Sequence, residues 1–151
     1  MGAVETVAAA SGGIWDHYRD ERGVPVVRLE MHSAGSPGPE RAMILAELKR
    51  LLKAAKEGRL KPHLDIRHIQ RNRLIYELRL NFDADERPLG QRAPEQLWRL
   101  YFGWHSNRGP LRLALKFGGK PSGHDGLTTQ NRHIDEAGHR YKAWLSREEN
   151  R

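Results

Sequence analysis

Side chains able to grip or cut a phosphodiester recur at alternate positions in three short stretches. They are Arg79 in residues 74–80, Arg99 and Tyr101 in 97–104, and Arg112 and Lys116 in 111–117. Each stretch alternates apolar and polar residues with period two, the pattern of a strand with one face buried. Leu74, Tyr76, Leu78 and Leu80 share a face in the first; Trp98, Leu100, Phe102 and Trp104 in the second; Leu111, Leu113, Leu115 and Phe117 in the third. If these faces form one core, the other face of the sheet is open and collects Arg79, Arg99, Tyr101, Arg112 and Lys116. An arginine can clamp two phosphate oxygens at once, and a lysine adds a compact charge. Glu77 between such cations would be ionised and suited to act as a base; a cross-strand ion pair with Arg99 or Arg112 explains it equally well.

The composition agrees with a polyanionic partner. The chain has 151 residues, 26 Lys+Arg against 19 Asp+Glu and a formal charge of +7, with a sequence pI near 10.0. Such a balance favours nucleic acid, and an acidic protein would exploit it too. There is no cysteine, so disulfides and thiolate metal sites are excluded. No H-E-x-x-H occurs, His133 and His139 fall on different helix faces, and Glu136 with His139 makes only a weak ligand pair. Gly118-Gly119-Lys120 resembles a phosphate loop, but Pro121 stands where the Ser/Thr is required. No metal and no cofactor is expected. What remains suits RNA cleavage without a metal: the ribose 2′-hydroxyl is the nucleophile, and the protein orients it, neutralises developing charge and moves two protons.

The elements that must position these groups read as a small α+β domain. Residues 24–31 are expected to form a first strand, and 33–38 a turn. A helix follows over 39–57, with Pro39 in its first position, Ile44, Leu48, Leu51 and Ala55 as its stripe, and Gly58 stopping it. Lys49, Arg50, Lys53 and Lys56 suit its carbonyl end. Residues 64–70 are a short strand or an ordered approach to the strand at 74–80. A charged loop at 83–96 and a tighter turn at 107–110 separate the three strands. The segment 118–126, rich in glycine, should hold no regular structure, and Thr128 or Thr129 should cap a last helix carrying Ile134, Ala137, Tyr141 and Trp144 inward. The expected organisation is a flexible leader at 1–13, the domain at 14–145 and a polar tail at 146–151.

The order Tyr76-Glu-Leu-Arg79, Trp98-Arg-Leu-Tyr-Phe102 and Leu113-Ala-Leu-Lys-Phe117 with Lys120 resembles the strand core of the RelE/HigB toxin superfamily, in its HigB-like branch. The resemblance runs over roughly 24–145 in element order, and its specific residues lie in 74–120. It implies a small RelE-like domain, with a central antiparallel sheet packed on an N-terminal helix and followed by a C-terminal helix. It implies a metal-independent endoribonuclease that cleaves mRNA, free or on the ribosome, and is held inactive by a cognate helix-turn-helix antitoxin. Carried over by position, Arg79 and Arg99 match central-strand cations, Lys116 and Lys120 the basic end of the last strand, and His124 the loop beyond. Tyr101, Arg112 and Arg73 are the candidates for holding RNA. The loop at 83–96 is longer than in the family, and 118–126 replaces a compact basic segment.

Two other readings use the same residues. One is a non-catalytic nucleic-acid-binding module, against which stands the lack of a row of aromatics on the polar face. The other is a phage-type or assembly protein whose charge serves an acidic partner. No basic leader with an apolar core and no membrane-spanning run is present, so a cytoplasmic protein without membrane contact is expected.

Overall fold

The computed structural model describes Thr6, Ala9, Ala10 and residues 12–82, 94–105, 107 and 109–150. Among them the order is β1 (Ile14–His17), α1 (Val26–His32), α2 (Pro39–Lys56), β2 (Ile66–His68), β3 (Ile75–Arg79), β4 (Leu97–Gly103), β5 (Leu111–Lys120) and α3 (His124–Glu149). The strands form one mixed sheet in the order β1-β5-β4-β3-β2. β1 runs parallel to β5, and the other neighbours are antiparallel. The fold class is α+β. No helix among the described residues is long and apolar enough to cross a membrane.

The helix expected at 39–57 forms as α2. Pro39 opens it, Ile44, Leu48, Leu51, Ala54 and Ala55 are buried, and Gly58 follows its end with φ +72°. The Glu47 carboxylate ties α2 to the sheet by accepting from the Asn81 amide just past β3. The first strand expected at 24–31 is instead helical, as α1. Its apolar residues satisfy period two, but Val27 and Met31 are also four apart, and the helix buries that pair. Leu29, which alternation would place beside them, is 56% exposed. The edge strand β1 carries Ile14 exposed and had no pattern to announce it.

The glycine-rich segment 118–126 is also ordered. β5 continues through Lys120, and α3 begins at His124 after Gly123, so Thr128 and Thr129 lie inside the helix rather than at its cap. Gly118 is in the strand because α3 lies directly on it: a Cβ there would sit 2.5 Å from the His133 ring. α3 also runs on through most of the expected tail, to Glu149. In the expected flexible leader, Thr6, Ala9 and Ala10 are buried, and the Ala9 carbonyl accepts from Arg112 Nη2 at 3.4 Å. The loop at 83–96 lies outside the described residues except for its last three.

A bulge in β5 decides which residues share a face. Leu78 pairs with Leu100 and Leu100 with Phe117; Glu77 pairs with Tyr101 and Tyr101 with Lys116. The next residue, Phe102, pairs with Ala114, so Leu115 is the extra residue of the bulge. A one-residue insertion exchanges the faces beyond it. Leu113 therefore lies opposite Gly103, in the row of Ile75 and away from Leu78 and Leu100. Arg112 turns the other way too, over the Trp104 ring at 4.8 Å, with Nη1 donating to the Pro110 carbonyl at 2.7 Å. The expectation that Leu78, Leu100 and Leu113 share one face, and Arg79, Arg99 and Arg112 the other, fails at this bulge.

The polar face is not open. α3 covers it, with His133 edge-on to Tyr101 at 6.4 Å and Glu136 bonded to Lys116 at 3.0 Å. The bulge also frees backbone groups that must find partners in the interior. The Leu115 carbonyl accepts from Arg140 Nη1 at 2.7 Å, and the Phe117 amide donates to Glu30 Oε1 at 3.1 Å. Glu30 of α1 in turn accepts from Lys116 and Arg140, each at 2.9 Å. Two cations and two carboxylates thus lock α1 and α3 onto the irregular point of the sheet.

Candidate anion-binding site

Sheet register assembles a second polar group beside that lock. Arg67 of β2 is opposite Glu77 of β3, and Arg79 of β3 is opposite Arg99 of β4. Leu97 faces Lys120 at the end of β5. The Glu77 carboxylate lies 3.6 Å from Arg79 Nε and 3.8 Å from Arg99 Nε. Lys120 Nζ donates to Gln130 Oε1 at 2.6 Å, and Gln130 Nε2 donates to Glu77 Oε2 at 3.3 Å. Two cations, Arg79 and Arg99, thus flank the Glu77 carboxylate, Lys120 reaches it through Gln130, and Arg67 is its cross-strand neighbour.

The electrostatic consequences follow from burial. Glu77 is 2% and Arg99 4% exposed. Arg99 Nη1 donates to the Trp98 carbonyl at 3.0 Å, while its buried Nε makes no hydrogen bond among the described residues. Burial pushes the Arg99 guanidinium below its ordinary value, and Arg79 and Arg67 add to this against the attraction of Glu77. Burial likewise lowers the Lys120 ammonium, helped by Arg99, Arg79 and Arg67 and opposed by Glu77. An excess of partly dehydrated like charges would be relieved by an anion.

A cleft of about 640 Å³ adjoins the cluster, between the β2–β3 connection and the first turns of α3. Arg67, Arg71 and Arg73 line it with His63 and His68, and Glu77 and Gln130 form its inner wall. Arg71 is engaged by both oxygens of Asp135, at 2.8 and 2.9 Å; Arg67 and Arg73 are exposed. His63 is the one non-glycine residue with positive φ (+70°) among the described residues, a conformation worth notice where it borders a cleft.

The sequence-derived candidates divide accordingly. Arg79, Arg99 and Lys120 meet around Glu77, and Arg73 borders the adjoining cleft. Lys116 does not join them, because Glu30 and Glu136 hold it at 2.9 and 3.0 Å in the α1–α3 lock. Arg112 is on the opposite face, packed on Trp104. Tyr101 is 1% exposed and, unlike Glu77, does not line the cleft; burial first, then Glu77, pushes its hydroxyl up. His124 is exposed in the first turn of α3. Sequence reasoning missed Arg67, Gln130 and His133. A signal existed for Gln130, which stands four residues before Ile134 on the inward stripe, where a polar residue needs a partner.

His133 carries a pH prediction. It is buried against Gly118 and Tyr101, and its Nδ1 has no hydrogen-bond partner among the described residues. Burial lowers its pKa below 6.5, Lys116 and Arg132 add to this, and Glu136 and Glu30 oppose it. The unfolded chain therefore takes up a proton near 6.5 that the folded protein refuses until lower pH. The stability is fully present above the unfolded value and falls as pH drops below it, by at most about 1.4 kcal/mol per pH unit for one proton. His17 is lowered in the same sense, chiefly by burial and Arg28. Denaturant unfolding from pH 7.5 down to 5 should thus show falling stability, and His133→Leu should flatten that slope. An unchanged slope would remove His133 from the account.

Compared with known proteins, the chain matches no family model, no curated protein and no solved structure.

Proposed function

We propose that this chain is a toxin-type endoribonuclease that cleaves mRNA without a metal and is silenced by a cognate helix-turn-helix antitoxin. The observation that carries the RNA part is the grouping of Arg79 and Arg99 on the carboxylate of Glu77, with Lys120 joined to it through Gln130 and Arg67 opposite it, beside a cleft lined by further arginine and histidine. The antitoxin rests on the sequence resemblance, as does mRNA, free or on the ribosome, as the form of the substrate. In the reaction the 2′-oxygen bonds to phosphorus as the P–O5′ bond breaks, leaving a 2′,3′-cyclic phosphate and a 5′-hydroxyl. Arg79, Arg99 and Arg67 neutralise the charge that builds on the phosphoryl oxygens. Glu77 takes the proton of the 2′-hydroxyl, and Lys120 supplies one to the departing O5′.

A second reading, a non-catalytic RNA-binding module, is favoured by the burial of Glu77 and Arg99 under α3. Incubating the purified chain with single-stranded RNA in the presence of a chelator separates the two. Fragments ending in 2′,3′-cyclic phosphate, with growth arrest on induction relieved by the protein encoded beside it, are the expected result. Intact RNA that is nevertheless bound in a salt-sensitive manner would establish the second reading. Neither cleavage nor binding would dispose of both.

A further inference from the structure

Gln130 stands where the cleft meets the cation cluster. It lines the cleft next to Glu77, accepts from Lys120 Nζ at 2.6 Å and donates to Glu77 at 3.3 Å. A lysine and a buried glutamate bridged by one side chain would ordinarily close into a direct ion pair, because the arginine contacts of Glu77, at 3.6 and 3.8 Å, are long and leave its buried carboxylate short of close partners. Such closure would consume the charge of Lys120 inside the protein. The amide prevents it: its carbonyl occupies the ammonium, its nitrogen occupies the carboxylate, and it adds no charge of its own. A neutral carbonyl is also a weaker partner for an ammonium than a phosphate oxygen, so an incoming phosphate can displace it.

We propose that Gln130 is a positioning residue of this anion site, holding Lys120 beside Glu77 but out of salt-bridge contact, so that the lysine charge is kept for an RNA phosphate. This rests on the RNA reading above. The groups that act on Lys120 are Arg99, Glu77, Arg79 and Arg67, and the lowering of its ammonium shows that the cations and burial outweigh the one carboxylate. With the amide removed, no neutral group bridges the ammonium and Glu77, and the carboxylate gains weight in that balance.

The test uses the full chain with Gln130→Met, which keeps the length of the side chain and loses both polar atoms. Lys120 is titrated by NMR through its side-chain carbon next to nitrogen, with no RNA present. Binding of a labelled single-stranded oligoribonucleotide is then measured across a series of salt concentrations. The Lys120 pKa should rise, RNA affinity should fall about tenfold, the scale of a charge-assisted hydrogen bond, and the salt slope should flatten by about 0.7, one phosphate contact. Gln130→Ala, which cannot overpack the site, should behave alike. A lower melting temperature with the titration and the slope unchanged would overturn the proposal and leave Gln130 a structural residue. Unaltered RNA affinity in Lys120→Ala would likewise overturn it, whereas no RNA binding by the unaltered chain would overturn the RNA reading, and the titration, which needs no RNA, would still decide what Gln130 does to Lys120.

Discussion

Arg99→Ala is expected to lower RNA cleavage by on the order of a hundredfold or more, the scale of losing one donor to transition-state charge. The sequence alone would add that stability should hardly change, since the arginine was expected on an open face. Its burial reverses that expectation. Glu77 would keep Arg79 at 3.6 Å but lose its buried cation, and the fold should weaken by about 2 kcal/mol, less than for an ideal buried pair because the contact is long. Arg99→Lys keeps the charge and loses the planar fork, so it should recover stability better than activity. Initial cleavage rates and urea unfolding on the same preparations check both halves. Full activity in Arg99→Ala would remove the cluster from the mechanism, whatever happened to stability.

Glu30→Ala should have the largest effect on stability, about 3 kcal/mol, at the low end of the range for one partner of a buried ion pair, because Glu30 is only partly buried but serves two cations and a backbone amide at once. Glu30 accepts from Lys116, from both terminal nitrogens of Arg140 and from the Phe117 amide. Without it, two cations share only Glu136, and a backbone donor beside the bulge is orphaned. Glu30→Gln keeps an acceptor for Phe117 and should cost less. Lys116→Ala belongs with this pair rather than with Arg99→Ala: it should lower stability and leave cleavage by the folded protein close to normal. Denaturation midpoints for the three variants check the order. A loss under about 0.5 kcal/mol in Glu30→Ala, the level of an exposed pair, would show that the lock contributes little.

Acid should weaken the same lock. Burial works against the Glu136 carboxylate, but the hydrogen bond and charge of Lys116 and the charge of Arg140 outweigh it and hold the group below its ordinary value. A lowered carboxyl contributes stability that is present above the unfolded value, near 4.5 for Glu136, and lost as pH falls through the folded one. This window opens at the unfolded value of Glu136, near 4.5, whereas that of His133 opens already near 6.5.

The residue order by itself determined the positions of β3 and β4, because Leu78-Arg79-Leu80 and Trp98-Arg99-Leu100 alternate at the spacing of the backbone pleat. It determined α2 as well, through Pro39 at one end, Gly58 past the other and an apolar stripe between them. It also placed Arg79 and Arg99 on one face, since parity holds within regular strands. Tertiary structure decided the rest. A bulge leaves no mark in an alternating pattern, so only pairing with β4 shows Leu115 as the extra residue and turns Arg112 and Leu113 over. Periodicity likewise reports which residues a strand can hide, not what comes to hide them. A row of charges reads as solvated, yet Lys116 is partly buried because Glu30 and Glu136 neutralise it, while Arg140, 110 residues from Glu30, shares those carboxylates and caps the bulge. Gly118 looked like loop for a similar reason: only the approach of His133 reveals that its missing side chain makes room for a helix.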